Sequence, residues 1–202
     1  MNNEETKKHY MELIKKYGLT PQGVDWGEKC SAEQLNFRYQ NMLNVITNYH
    51  GLKQVRPSLL DVGCGYCGLR EYAEQKNIAI DYYGIDLYEI EKKDYVFTAD
   101  FLEYEFDRNF DFVVCNGVLT TKFDVSIRVY DKYVIKFIDK MFQMANAGIA
   151  FNIMKSQVDF MVERLYYKSP LDILGYCMSL TDKFVIDAAY PLYEYTMYLY
   201  KD

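Results

Sequence analysis

Between Ser58 and Ile153 the chain carries five short apolar runs, Leu59–Val62, Ile78–Ile85, Tyr95–Thr98, Phe110–Cys115 and Gly148–Ile153, with little of the polar alternation expected of a strand with one wet face. Runs of this kind suit strands buried on both sides, as in a parallel sheet covered by helices. The intervening segments read as helices, most clearly at Leu69–Gln75 and Ile127–Ala145. Another follows Ser169-Pro170, where serine is a natural N-cap and proline suits the first helical position. Strands alternating with helices predict an α/β fold with a single doubly wound, mostly parallel sheet. Phe184–Ile186 and Tyr193–Tyr200 are separated only by a short turn around Pro191, which predicts an antiparallel pair at one end of that sheet. Two N-terminal helices precede the core. Residues 4–17 place Tyr10, Leu13, Ile14 and Tyr17 on one face, with Gly18 as a stop. Ser31-Ala32-Glu33-Gln34 has capping-box spacing and opens a helix over 32–49 that ends at the stop Gly51. With no repeat or linker composition, residues 1–202 are expected to form one domain, divided into a helical cap (1–57) and a core (58–202).

Charge and cysteine usage narrow the function classes. The 23 Lys and Arg against 29 Asp and Glu leave a formal charge of −6, which argues against a nucleic-acid partner, because phosphate-backbone affinity comes from clustered cations. The longest uncharged stretch, Met141–Met154, is too short to span a bilayer and contains Gln143, Asn146 and Asn152, so no membrane partner is expected. Five cysteines form an odd set, and the acidic opening Met1-Asn2-Asn3-Glu4-Glu5 has no apolar leader, so a reducing, cytoplasmic setting is expected. A small-molecule partner is the better expectation, for a monomer or a homodimer.

Leu59-Leu60-Asp61-Val62-Gly63-Cys64-Gly65-Tyr66-Cys67-Gly68 is an apolar strand running into Gly-x-Gly-x-x-Gly and then a helix. Glycines let the backbone approach a ligand closely, and the helix start offers unpaired N–H groups. Alone, the motif is weak evidence. Here Asp86 ends the next strand 18 residues past Gly68, where a carboxylate can hold a ribose diol, and Asp100 follows the third strand. Asn116-Gly117 follows the fourth strand. In a doubly wound sheet these strand ends share one rim, so the polar residues should converge on one crevice.

This succession resembles the class I S-adenosylmethionine-dependent methyltransferases over most of the chain from Ser58 onward. The resemblance implies the Rossmann-like methyltransferase fold, with a seven-stranded sheet whose last strand is antiparallel, and S-adenosylmethionine as cofactor. It implies that Asp61, Gly63, Cys64, Gly65 and Gly68 approach the methionine part and that Asp86 holds the ribose. Leu87 would pack on the adenine, Asp100 and Phe101 would read its edge, and Asn116 and Gly117 would lie beneath the sulfonium. Gly23-Val24-Asp25-Trp26, the Gln34 to Arg38 stretch and Tyr190-Pro191-Leu192-Tyr193-Glu194 are similar to a smaller bacterial subgroup, and Arg38 joins the cofactor-binding candidates on that basis. The segment from Asp86 to Tyr95 is shorter than the family's second crossover helix requires, so a more open ribose side is expected. The implied activity is methyl transfer to an oxygen or nitrogen of a small-molecule acceptor, such as a sugar or a natural-product intermediate. No strongly placed base is visible, and the catalytic candidates are Tyr166, Tyr193 and Glu194 on crevice loops, with His9 on the first helix.

Other readings of the same residues stay open. A nicotinamide-dinucleotide oxidoreductase would use the same strand, glycines and carboxylate, but no Tyr-x-x-x-Lys pair follows the fifth strand. A non-catalytic nucleoside-binding protein would also keep the pocket. Cys64-Gly65-Tyr66-Cys67 could be a redox pair at a helix start, but the proline that a thioredoxin-like fold sets against it is missing between Pro57 and Pro170. One Cys-x-x-Cys with only two histidines does not readily supply four ligands, so no metal is expected.

Overall fold

A computed structural model describes residues 3–27, 30–50 and 56–202. The predicted stop at Gly51 lies outside the described residues. The central sheet contains β1 (Ser58–Val62), β2 (Asp81–Asp86), β3 (Val96–Thr98), β4 (Phe110–Cys115), β5 (Ala145–Lys155), β6 (Tyr167–Lys168), β7 (Phe184–Asp187) and β8 (Glu194–Tyr200). Its order is β3-β2-β1-β4-β5-β8-β7. Strands β1 to β5 pair in parallel, whereas β8 runs antiparallel between β5 and β7. The count exceeds the expected seven by one, because the two-residue β6 pairs with β5 off the main path. A strand that short carries no periodicity for a sequence reading to detect.

The non-alternating runs have a direct cause. Successive residues of a strand face opposite sides, and here both sides are covered. Leu59, Phe112 and Val114 pack with Leu35, Met42, Leu43 and Ile46 of α2 (Ala32–Thr47) and Leu69 and Ala73 of α3 (Gly68–Gln75). Their neighbours Leu60, Val113 and Cys115 face the other way, against Val134, Phe137, Ile138 and Met141 of α4 (Ile127–Met144) and Ile173 and Cys177 of α5 (Pro170–Cys177). The start of α2 is a capping box: the Gln34 amide donates to Ser31 Oγ and the Ser31 amide to Gln34 Oε1, each at 3.1 Å. This helix is a layer of the core, in contact with β4, β5 and β8. By contrast α1 (Asn3–Tyr17) contributes to neither apolar cluster and lies over the strand-end rim. No helix of the described residues is long and apolar enough to cross a membrane.

Candidate functional site

The parallel strands all end on one rim, and the loops leaving β1, β2, β3 and β4 meet there in a single cavity. It encloses about 1160 Å³ of empty space, its open mouth included. Asp61, Gly63, Cys64, Gly65, Asp86, Leu87, Asp100, Phe101, Asn116 and Gly117, expected to meet there, all line it.

Asp86 organises the floor. Its Oδ2 accepts from the Gly65 amide and its Oδ1 from the Leu87 amide, both at 2.8 Å, so one carboxylate ties the end of β2 to the glycine loop. Those bonds favour the charged form, but burial outweighs them and lifts the carboxyl from the ordinary 3.8 to about 6. Asp61 is buried deeper in the floor. It accepts from the Tyr82 hydroxyl at 2.7 Å, and desolvation raises it to about 7. Asp100 Oδ1 accepts from the Leu102 amide at 2.9 Å, which steadies the turn after β3 beside Phe101.

The roof comes from elements distant in sequence. Thr6 and Tyr10, one helical turn apart on α1, reach the cavity. The Tyr10 ring stacks on Tyr88, with centroids 5.8 Å apart, and meets Phe123 edge-on. Burial beside Asp25 and Asp86 pushes the Tyr10 phenol well above the ordinary tyrosine range, so it stays neutral. His9 Nε2 lies 3.0 Å from Asp25 Oδ2, and Asp25 is also held by both terminal nitrogens of Arg164. The Arg164 carbonyl in turn accepts from the amides of Lys122 and Phe123 at 2.8 and 3.0 Å. Helix α1, the loop around Asp25 and the loops carrying Phe123 and Arg164 thus form one clasp over the rim.

Several expected site residues are not brought to the cavity. Tyr166 is buried on the α4 side of the sheet, where its hydroxyl donates to Asp131 at 2.6 Å. Tyr193 is exposed outside the cavity. Glu194 is buried against Arg38, and neither lines the cavity. Gly68 begins α3 packed against Tyr39 and Tyr66. His9 stands behind the lining, held by Asp25. For Tyr166, Tyr193 and Glu194 the reason is shared: position next to a strand end specifies the rim but not which way a side chain turns. Sequence reasoning also passed over Asp25, Tyr88, Thr120, Phe123 and Tyr133 as lining residues. Tyr88 carried a usable signal, since it directly follows Asp86-Leu87 at a strand end. Phe123 carried none.

A glycine loop, a strand-end carboxylate and a roofed crevice on a doubly wound sheet with an antiparallel last pair together define a nucleoside-binding domain of the methyltransferase type. No family model matches the chain. It is 30% identical over 158 residues, 71% of its own length and 93% of the relative's, to a Mycobacterium tuberculosis protein named "Putative methyltransferase Rv1506c". Among solved structures it resembles magnesium protoporphyrin IX methyltransferase from Synechocystis with bound SAH, with a TM-score of 0.66 at 11% identity over the whole of both chains. It also resembles the Burkholderia thailandensis 1,6-didemethyltoxoflavin-N1-methyltransferase, with a TM-score of 0.62 at 14% identity over all of this chain and 90% of that one. The chain belongs to the class I S-adenosylmethionine-dependent methyltransferase family.

Proposed function

We propose that this protein binds S-adenosylmethionine in the rim cavity and transfers its methyl group to an oxygen or nitrogen of a small-molecule acceptor. The observation that carries the reading is the convergence of four strand ends, bearing Gly63–Gly65, Asp86, Asp100 and Asn116, on one roofed cavity. The residues fit the cofactor. Asp86 keeps lone pairs beyond its two backbone bonds for a ribose diol, and Leu87, Phe101 and Phe137 offer apolar surface for a flat base. The cofactor supplies a methyl group already activated on a sulfonium. The protein's tasks are to align the acceptor in line with the S–CH₃ bond and to keep water out.

The walls carry Asp25, Asp61, Asp86 and Asp100 and, among the described residues, no Lys, Arg or His. Asp25 is paired with Arg164 and Asp61 is raised to about 7, which leaves Asp86 and Asp100 as the wall's remaining acidic groups, a lining that suits a sulfonium cation and disfavours nucleic acid. The five free thiols agree with a reducing, cytoplasmic setting. Within a single domain, the cap reduces to α1 and its clasp, because α2 packs into the core.

Calorimetry with S-adenosylmethionine and S-adenosylhomocysteine tests the assignment. Saturable one-to-one binding of both is expected, with no response to NAD(H) or NADP(H). The reverse pattern would return the site to the dinucleotide reading. Deleting residues 1–17 tests the roof. Because α1 is absent from both apolar clusters, the truncated protein is expected to fold. Its S-adenosylhomocysteine should dissociate roughly tenfold faster, since losses of this kind appear mainly in the off-rate. An unchanged stopped-flow off-rate would remove α1 from the site.

A further inference from the structure

Asn152 lies in β5 between the fully buried Phe151 and Ile153 and is itself 1% exposed. A carboxamide at such a position must satisfy both of its ends. The Gly117 amide donates to Asn152 Oδ1 at 2.8 Å. A backbone N–H only donates, so this bond settles which way the amide points. The nitrogen end then donates to Asn116 Oδ1, at 3.3 Å, and lies on the same face of the sheet as the Glu194 carboxylate two residues along β8, whose charged form it favours. Turning Asn152 over would set N–H against N–H at Gly117 and oxygen against oxygen at Asn116.

Glu194 is 2% exposed and is held from its far side by Arg38, whose terminal nitrogen donates to Oε2 at 3.3 Å. The Arg38 Nε lies 2.9 Å from Oε1 without hydrogen-bond alignment. The guanidinium sits 4.5 Å from the centre of the Trp26 ring, and that ring occupies the place a Cβ on Gly117 would take, 2.7 Å away. With φ of +93° as well, position 117 admits glycine. The contacts close on themselves, from Trp26 through Arg38, Glu194, Asn152 and Gly117 back to Trp26. Of these five, Arg38, Glu194 and Asn152 do not line the cavity, whereas Asn116, which the circuit holds by its oxygen, does.

We infer that Asn152, oriented by the buried Glu194–Arg38 pair, is a positioning residue that turns Asn116 so that its N–H₂ end, and not its oxygen, is presented to the bound ligand. The ligand atom over Asn116 therefore bears a lone pair, oxygen or nitrogen, and is not the sulfonium that the family resemblance led one to expect there. This inference rests on the reading of the cavity as the S-adenosylmethionine site. It also gives Arg38 and Glu194 a role through Asn152, without contact to ligand.

The test uses the full chain, ¹⁵N-labelled, with S-adenosylhomocysteine as probe. The double variant Glu194→Leu with Arg38→Met replaces the pair by apolar groups and should be at least as thermally stable. It should nevertheless bind about three- to tenfold more weakly, as expected for one misoriented hydrogen bond, and its Asn116 side-chain signals should no longer respond to the probe. A purely structural pair predicts instead that the stable double variant binds like the parent, and that result would overturn the inference. Failure of the parent to bind the probe would strike the cofactor reading. Positioning is then read from the free protein, where both Asn152 side-chain N–H protons should be protected from exchange and those of Asn116 should not. Equal exchange at the two residues would overturn the inference regardless of binding and of how the variants fold.

Discussion

Replacing Gly65 with valine is expected to abolish measurable S-adenosylmethionine binding, with affinity falling by at least about a hundredfold. Two effects add. The backbone at Gly65 has φ of +52°, a left-handed conformation that costs a residue bearing a Cβ about 1–2 kcal/mol, and a β-branched one more. A Cβ there would stand 3.0 Å from Val24 Cγ1, leaving the added methyls little room except toward the cavity that Gly65 lines. The Gly65 amide also donates to Asp86, so a shift that relieves the crowding would pull on the carboxylate. Calorimetry on Gly65→Ala and Gly65→Val should give a graded series, with alanine losing less. Wild-type affinity in a folded valine variant would move the cofactor away from this loop.

Asp86→Ala is expected to weaken cofactor binding by roughly 1.5–3 kcal/mol, the range for hydrogen bonds to a charged group, or about 10- to 150-fold. It should also destabilise the free protein, because the Gly65 and Leu87 amides lose their acceptor. The pH dependence separates the two roles. In the free fold the carboxyl is raised from 3.8 to about 6, so the folded state holds its proton more tightly than the unfolded chain does. Its contribution to stability is therefore fully present below 3.8 and is lost as pH rises through about 6. Ligand binding runs the opposite way, since ribose hydroxyls need the ionised acceptor. Affinity should rise as pH increases through about 6, and the rise attributable to Asp86 should vanish in the alanine variant. Melting curves between about pH 4 and 7 and titrations between about pH 5 and 8 check the two signs. An affinity that falls with rising pH would exclude Asp86 as the ribose acceptor.

Much of the site was legible because it follows from topology. Once the runs at 59–62, 81–86, 96–98 and 110–115 are strands of a parallel sheet, their C-terminal ends must share a rim, and Asp86, Asp100 and Asn116 must approach one another. The segments beyond β5 were less readable. Tyr166 and Glu194 were placed correctly in chain order, yet one turns toward Asp131 under α4 and the other toward Arg38 under α2. Neither direction has a local signal.

What the residues determine by themselves is the local grammar: buried strands from unbroken apolar runs, helix starts from Ser31 and Ser169, and a tight glycine turn after the first strand. These depend on backbone sterics, capping bonds and side-chain period, all of which act over a few residues. Only the tertiary structure decided that α1 roofs the cavity through His9, Asp25 and Arg164, and that Arg38 and Glu194, 156 positions apart, meet behind Asn152. Such pairings are set by which faces the packed layers bring together. A buried charge or amide acquires its partner from across the fold, where no spacing along the chain records it.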